Sequence, residues 1–386
     1  YSPSEHSLAQ NLRNKGLLLT KAEVIGAASK KPFGKFKMPF GGKVKALDKV
    51  FFAQNLQVMV KAGLPLAVSI KTLGQQTQNK AFRTILEDIY LIVNKGTALS
   101  DALSKYPKVF SELFVNMVRA GEKSGKLEDV MAQLATQMRK NHQLVSKVRG
   151  ALTYPVIVIL AMLGIAAAMI VFVIPRITTI FQEVNATLPL PTRILIGISD
   201  FVTSNGILVG GGLILLVFGF IQFIHSKGGK KIWDSFLLKL PVISPIIQKI
   251  NLAKFARTFS SLLKTDIPIL QAFQITAATL GNSLYQSTIN EAAERVKNGV
   301  TVASILGESP KLFSPLVIQM IAVGEETGTI DTILGELANF YEDDVDRTMS
   351  NLATILEPVL ILILGLGVAG LAISIILPIY SLTQSV

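Results

Sequence analysis

Three stretches of the chain run without a charged side chain for longer than a helix needs to cross a bilayer. There are 26 uncharged residues between Arg149 and Arg176 and 26 more between Asp200 and Lys227, and no charge follows Glu357. Their apolar centres are Val156–Ile174, Ile207–Ile224 and Pro358–Tyr380. About 20 apolar residues span the hydrocarbon core, so the pattern predicts three transmembrane helices, at 151–175, 207–224 and 356–378. Three buried helices of a soluble core are the weaker reading, because such a core rarely needs three charge-free windows of this length. The first window lies too far from the N-terminus to be a secretory signal. Elsewhere the apolar period is helical. Phe52, Leu56, Met59 and Val60 form one stripe, and Phe255, Phe259, Leu262 and Leu263 form another. The turn Lys61–Pro65 ends the first helix, with Pro65 placed in the first turn of the next. A third helix covers Asn79 to Lys95, stopped by Gly96. A short helix lies near Ser100–Lys105. The next spans Ser111–Ala120 and ends at Gly121, and the last begins at Ser124 and runs toward the membrane. β-Branched alternation is absent. The predicted fold class is an all-α integral membrane protein, with two repeated six-helix bundles and three transmembrane helices.

The repeat emerges when the chain is shifted by 203 residues, whereupon two halves align without a gap. Phe52-Ala53 meets Phe255-Ala256, Lys61 meets Lys264 and Pro65 meets Pro268. Tyr106–Ser111 meets Ser309–Ser314, and Gly121-Glu122-Lys123-Ser124-Gly125 meets Gly324-Glu325-Glu326-Thr327-Gly328. The membrane borders correspond as well, Pro155 with Pro358 and Pro175 with Pro378. Each unit, 52–175 and 255–378, is therefore a soluble part followed by one span. Two spans separate the soluble parts, the even number needed to return the second to the same side.

Charge sets the orientation. Residues 1–154 carry a net +14, residues 175–206 a net of zero and residues 225–357 a net −2. Arg139, Lys140, Lys147 and Arg149 precede the first span, and Lys227, Lys230 and Lys231 follow the second. The positive-inside rule then puts the N-terminus in the cytoplasm and the C-terminus outside. The expected order is an N-terminal cytoplasmic segment and basic linker (1–50), a cytoplasmic bundle (51–150), the first span, and a periplasmic loop (176–206). The second span, a cytoplasmic connector (225–253), the second bundle (254–353), the third span and a periplasmic tail (379–386) complete it. The lysines of residues 30–49 sit among Gly, Pro and Phe with no recognition-helix pattern. They suit anionic lipid headgroups better than nucleic acid.

Composition removes several chemistries. Half the residues are hydrophobic and 17% are charged, against roughly 25% in soluble domains. The absence of cysteine excludes disulfides, iron–sulfur clusters and thiolate sites. His6, His142 and His225 are too scattered for a local metal motif. Gly121–Lys126 resembles a phosphate loop, but a Walker A loop needs four residues between its glycines and then Lys-Ser/Thr. Here there are three, and the second copy lacks the lysine. A helix-to-helix turn is the main reading: Gly121 ends one helix, Ser124 or Thr327 caps the next, and Glu128 and Asp331 sit at its positive end. A partner contact through Glu122 and Glu325 is the second. The candidate residues are therefore Gly121, Glu122, Lys123, Gly125 and Lys126, with Gly324, Glu325, Glu326 and Gly328. The acids Glu342, Asp343, Asp344 and Asp346 suggest a metal or acid–base site less readily than a solvated face. Gln137, Met138, Arg139 and Asn141 hold the places of Phe340, Tyr341, Glu342 and Asp344. Pro155, Pro175, Glu357, Pro358 and Pro378 mark the membrane borders. Gly164 with Ala168, Gly210–Gly212, and Gly365 with Ala369 suit close helix packing. No ionisable residue lies at a span's centre, which argues against a solute transporter. No catalytic, cofactor or metal residue is assigned.

The turn Lys61–Pro65, the segments Tyr106–Met131 and Ser309–Leu334, the stretch Leu188–Val202 and the C-terminal Glu357–Leu382 together resemble the PilC/GspF family. Its members are inner-membrane platform proteins of type IV pilus and type II secretion machines. The resemblance covers about 52–386. It implies a scaffold without a catalytic centre or cofactor that couples a cytoplasmic assembly ATPase to insertion of pilin subunits. The alternative is the same role in a type II secretion pseudopilus. Implied partners are the ATPase, pilin or pseudopilin transmembrane segments, other inner-membrane assembly proteins, the lipid bilayer and further copies of the chain, with no nucleic acid. Family members usually begin with a short additional segment, so residues ahead of Tyr1-Ser2-Pro3 are expected.

Overall fold

The structure, a computed structural model, describes residue 14 and residues 43–183, 190–265 and 267–383. The lysines at 30, 31, 35 and 37, residues 184–189 with the first two positions of the Leu188–Val202 motif, and the last three residues lie outside the described residues. Among the described residues the regular structure is helical throughout.

The first repeat contains α1 (Ala46–Lys61), α2 (Leu66–Gln76), α3 (Lys80–Val93), α4 (Leu99–Ser104), α5 (Glu112–Ser124) and the start of α6 (Leu127–Ala168). Asp48, in the first turn of α1, accepts the backbone N–H of Lys45 at 2.9 Å and the Asn79 side-chain amide at 2.9 Å. Asn79 in turn caps α3 by accepting from the N–H groups of Ala81 and Phe82. Gly63 (φ +76°) and Gly96 (φ +89°) close the turns after α1 and α3, where the left-handed backbone favours glycine. Pro65 stands just outside α2 as its N-cap, not in its first turn. Its fixed φ suits either place. Gly96 lies beyond the end of α3, with Asn94 as the C-cap residue.

The second repeat follows the same order: α11 (Ile243–Leu263), α12 (Ile269–Thr279), α13 (Ser283–Lys297), α14 (Val302–Gly307), α15 (Pro315–Thr327) and the start of α16 (Ile330–Thr383). Between the repeats run α7 (Ile174–Glu183), α8 (Leu190–Ser204), α9 (Gly206–His225) and α10 (Lys227–Leu237). Two expected loops are therefore largely helical. Residues 176–206 hold most of α7 and all of α8, and residues 225–253 hold α10 and the first half of α11. α10 was hard to see because its apolar residues are few, Ile232, Trp233, Phe236 and Leu237, and they follow two glycines. Asp234 anchors it by accepting the Ser283 N–H at 2.7 Å, at the start of α13.

The cores correspond position by position. In the first repeat the Phe52 ring meets Phe82 edge-on at 5.9 Å and Phe110 at 5.9 Å. In the second, Phe255 meets Phe313 at 5.7 Å, and Tyr285 packs on Phe313 at 5.5 Å. Tyr285 occupies the place of Phe82, and its buried hydroxyl donates to the Leu312 carbonyl at 2.6 Å. Leu56 and Ile70 become Phe259 and Phe273, whose tilted rings meet at 4.4 Å, while Phe114 becomes the smaller Val317. Volume is thus redistributed while the pattern of buried positions is kept.

In each repeat the last helix does not stop at the bundle. α6 continues through a π turn (Met169–Val173) into α7, and α16 runs for 54 residues, about 80 Å at 1.5 Å per residue. Ser199 on α8 donates to the Ile170 carbonyl at 2.6 Å, satisfying one acceptor of the π turn. The apolar windows of the three membrane-length helices are 6%, 0% and 6% buried. Such exposure rules out core helices of a soluble protein, since water would meet bare Leu, Ile and Phe side chains along each one.

Candidate functional site

The two glycine-bounded turns form first. α5 does not end at Gly121. It runs to Ser124, and the left-handed C-cap is Gly125 (φ +71°). α15 likewise runs to Thr327, with Gly328 (φ +69°) as its cap. Gly121 and Gly324 lie inside their helices because the following helix crosses there. A Cβ on Gly121 would lie 2.9 Å from Val130 Cγ2, and one on Gly324 would lie 3.0 Å from the Ile330 backbone. Ser124 and Thr327 do not cap the next helix. Their hydroxyls turn back to the Ala120 and Val323 carbonyls at 2.9 and 2.7 Å.

Glu122 and Glu325 point inward. The Glu122 carboxylate accepts from Leu99 N at 2.5 Å and Ser100 N at 3.0 Å. The Glu325 carboxylate accepts from Val302 N at 2.5 Å and Ala303 N at 2.8 Å. Each acid therefore caps the short helix α4 or α14 of its own repeat. A charged acceptor on two first-turn N–H groups also meets the positive helix end. Both oxygens are engaged, so the glutamates hold the turn. The exposed residues around them are Lys123 and Lys126 in the first repeat, and Glu326 and Thr329 in the second.

The repeats meet along α6, α11 and α16. Gln137, buried on α6, donates to Thr258 Oγ1 at 2.9 Å and accepts from Ser261 Oγ at 3.2 Å. Gln133 donates to the same Ser261 hydroxyl at 3.1 Å. Toward the membrane, Lys140 pairs with Glu342 at 3.1 Å and Lys147 with Asp346 at 2.6 Å. Glu342 also receives Arg257 in a two-pronged pair at 2.7 and 2.9 Å, and Asp344 pairs with Lys249 at 3.0 Å. The acidic run on α16 is thus neither a metal cluster nor a fully solvated face. Three of its four acids form ion pairs, two of them reaching across to the other repeat. Among the described residues no group of three His, Cys, Asp or Glu side chains is placed to hold a metal ion.

A cavity of about 340 Å³ opens at this joint, lined by Lys49, His142, Lys254, Arg257 and Glu342 among others. Burial holds the Lys49 and Lys254 amines below the ordinary lysine range. Lys49 donates to the Val109 carbonyl at 3.1 Å. The joint escaped the sequence reading. Its signal was the set of aligned positions at which the repeats differ, such as Gln137 against Phe340.

Pro155 is buried within α6 and Pro358 lies inside α16. Pro175 falls in the first turn of α7 and Pro378 in the last part of α16. Glu357 is exposed.

Residues 52–175 and 255–378 each match the family described as Type II secretion system (T2SS), protein F. The chain is 36% identical over 353 residues to the type IV pilus assembly protein PilC of Myxococcus xanthus, covering 92% of this chain and 84% of that one. It is 34% identical over 374 residues to PilC of Thermus thermophilus, covering 97% and 91%. It is 30% identical over 350 residues to the type II secretion system protein F of Pseudomonas aeruginosa, covering 91% and 86%. With both repeats matched, and relatives aligned over nearly the whole chain, the protein belongs to the type II secretion protein F family, which is the PilC/GspF family.

Proposed function

We propose that the protein is the inner-membrane platform of a type IV pilus machine, passing movement from a cytoplasmic assembly ATPase to pilin transmembrane segments. The observation that carries this reading is the unbroken helix linking each bundle to a membrane span. α6 leaves the first core and enters its apolar window without a loop, and α16 does the same in the second. A rotation or tilt of a bundle is then transmitted to the lipid phase by a continuous helix, which lacks a ladder hydrogen bond at Pro155 in α6 and at Pro358 in α16, rather than absorbed by a linker. Cross-repeat ion pairs and the Gln137 network tie the two rods together, so they move as a unit.

The platform works by binding and has no turnover of its own. Lys123 and Lys126, exposed on the first turn, offer a basic contact to an acidic partner. The contact would weaken with salt. The second turn, with Glu326 and Thr329, takes a different partner. Both bundles lie in the cytoplasm, and α8 and the C-terminus lie outside.

A pilus role is favoured over secretion by similarity. Four pilus assembly relatives are 33–36% identical and a fifth, from Pseudomonas putida, is 30% identical. Three secretion proteins are 29–32% identical, so the preference rests on the upper end of an overlapping range. Deleting the gene in its own host should abolish surface pili and leave exoprotein secretion intact. Loss of secretion with pili retained would move the protein to the secretion branch. Reporter fusions at residues 100 and 300 should read cytoplasm, and one at 190 periplasm. A cytoplasmic signal at 190 would overturn the topology.

A further inference from the structure

The two repeats dock head to tail. The first repeat contributes Gln133, Gln137 and Lys140 of α6. The second contributes Thr258 and Ser261 of α11 and Glu342 of α16. A contact made by different faces of two like units leaves one complementary face open on each.

The 203-residue shift identifies those open faces. Glu336, Phe340 and Asp343 on α16 correspond to Gln133, Gln137 and Lys140. Asn55 and Val58 on α1 correspond to Thr258 and Ser261, and Arg139 on α6 corresponds to Glu342. At two positions the open faces are apolar where the closed joint is polar, Phe340 in place of Gln137 and Val58 in place of Ser261. Phe340 is 52% exposed and Val58 58%. Phe51 and Leu47, also exposed on the same stripe of α1, hold the places of Lys254 and Ile250. Charge complementarity survives with its sign reversed, because the Lys140–Glu342 pair becomes Asp343 opposite Arg139, and both of these are exposed. Lipid does not account for the exposed rings. Phe340 precedes Pro358 by about 27 Å of helix, well before the apolar window begins.

We infer that a second copy of this chain docks here, seating the Phe340 face of its α16 on the Leu47–Phe51–Val58 stripe of α1. The contact repeats the internal joint between chains, with Asp343 of one copy against Arg139 of the other. Apolar side chains in place of the internal glutamine network make burial the main drive for association. The inference rests on the fold and the repeat. It stands whether the machine makes pili or secretes.

The chain has no cysteine, which makes cross-linking direct. Full-length Val58→Cys and Glu336→Cys chains with different tags are co-expressed, and their membranes are treated with a short bismaleimide. A covalent dimer carrying both tags is expected. Gln133→Cys/Ser261→Cys in one chain is the reference, and it should link within the chain without changing subunit number. Asp343→Arg in the Glu336→Cys chain should cut the dimer about tenfold, and adding Arg139→Asp to the Val58→Cys chain should restore it. No mixed dimer while the reference links would overturn the inference. So would a dimer formed equally well by Val58→Cys alone, because that contact would pair like faces. These readouts do not involve piliation, so they fail or succeed separately from the proposed function.

Discussion

The two repeats share a skeleton and differ on their surfaces. Both place a phenylalanine at the centre of the core (Phe52, Phe255), a glutamate on the N-terminus of the short helix (Glu122, Glu325) and a glycine where consecutive helices cross (Gly121, Gly324). On the faces of α6 and α16, by contrast, Gln137 stands against Phe340 and Lys140 against Asp343. Positions that fold the unit have been held, and positions that join it to a neighbour have diverged. Each copy therefore keeps its fold while meeting a different surface. Substitutions at paired positions test that division.

The largest effects belong to the shared skeleton. Phe52→Ala and Phe255→Ala each remove a fully buried ring and should cost about 3–5 kcal/mol, measured as a fall in unfolding midpoint of the full chain in detergent. A repeat that tolerates the change would show that the two cores are not equivalent. Glu122→Ala and Glu325→Ala come next. Each strips two charge-assisted bonds from a helix start, at about 2 kcal/mol. Hydrogen exchange should quicken at the Leu99 and Ser100 amides in one variant and at Val302 and Ala303 in the other. Unchanged protection would mean the carboxylates do not cap.

Smaller effects belong to features found in one repeat. Gln137→Leu leaves Thr258 without its donor at a buried joint, at about 1–2 kcal/mol. Exchange should rise along α11 beside α6, while the first core keeps its protection. A matching loss inside the first core would make Gln137 a core residue of its own repeat.

The smallest is a pH effect at Tyr106, whose counterpart is Ser309. The Tyr106 hydroxyl donates to the Asp88 carboxylate, and partial burial together with that bond raises its pKa from 10.0 to about 12. A pKa raised on folding adds stability that is complete below pH 10 and is lost as pH climbs toward 12. Tyr106 is only partly buried and solvent screens its bond to Asp88, so under about 1 kcal/mol is at stake. Wild type should lose its advantage over Tyr106→Phe between pH 10 and 12. A constant difference across that range would remove the bond from the account.

The sequence carried the helical class, the three apolar helices and the repeat register clearly. Each rests on a pattern that extends over many residues: charge-free windows, a 3.6-residue period and an ungapped 203-residue shift. It misplaced the end of α5 because a glycine signals both a helix stop and a close crossing, and Gly121 is the second kind. Glu122 could not be recognised as a cap, since the amides it accepts lie 22 and 23 residues upstream. α7, α8 and α10 were missed within stretches read by charge alone. The joint was hidden for a related reason. Lys140 was counted toward membrane orientation, and its partner Glu342 is some two hundred residues away, so neither pointed to the other.

The central claim is that helices continuous from bundle to bilayer transmit movement, and a flexible hinge tests it most directly. A short glycine–serine insertion after Gly150 breaks α6 between the first bundle and its span, leaving both cores and the cross-repeat bonds of α6 in place. The account predicts normal protein level and membrane insertion, an intact Gln133–Ser261 cross-link, and no surface pili when the variant replaces the chromosomal copy. Full piliation with the hinge in place would contradict it.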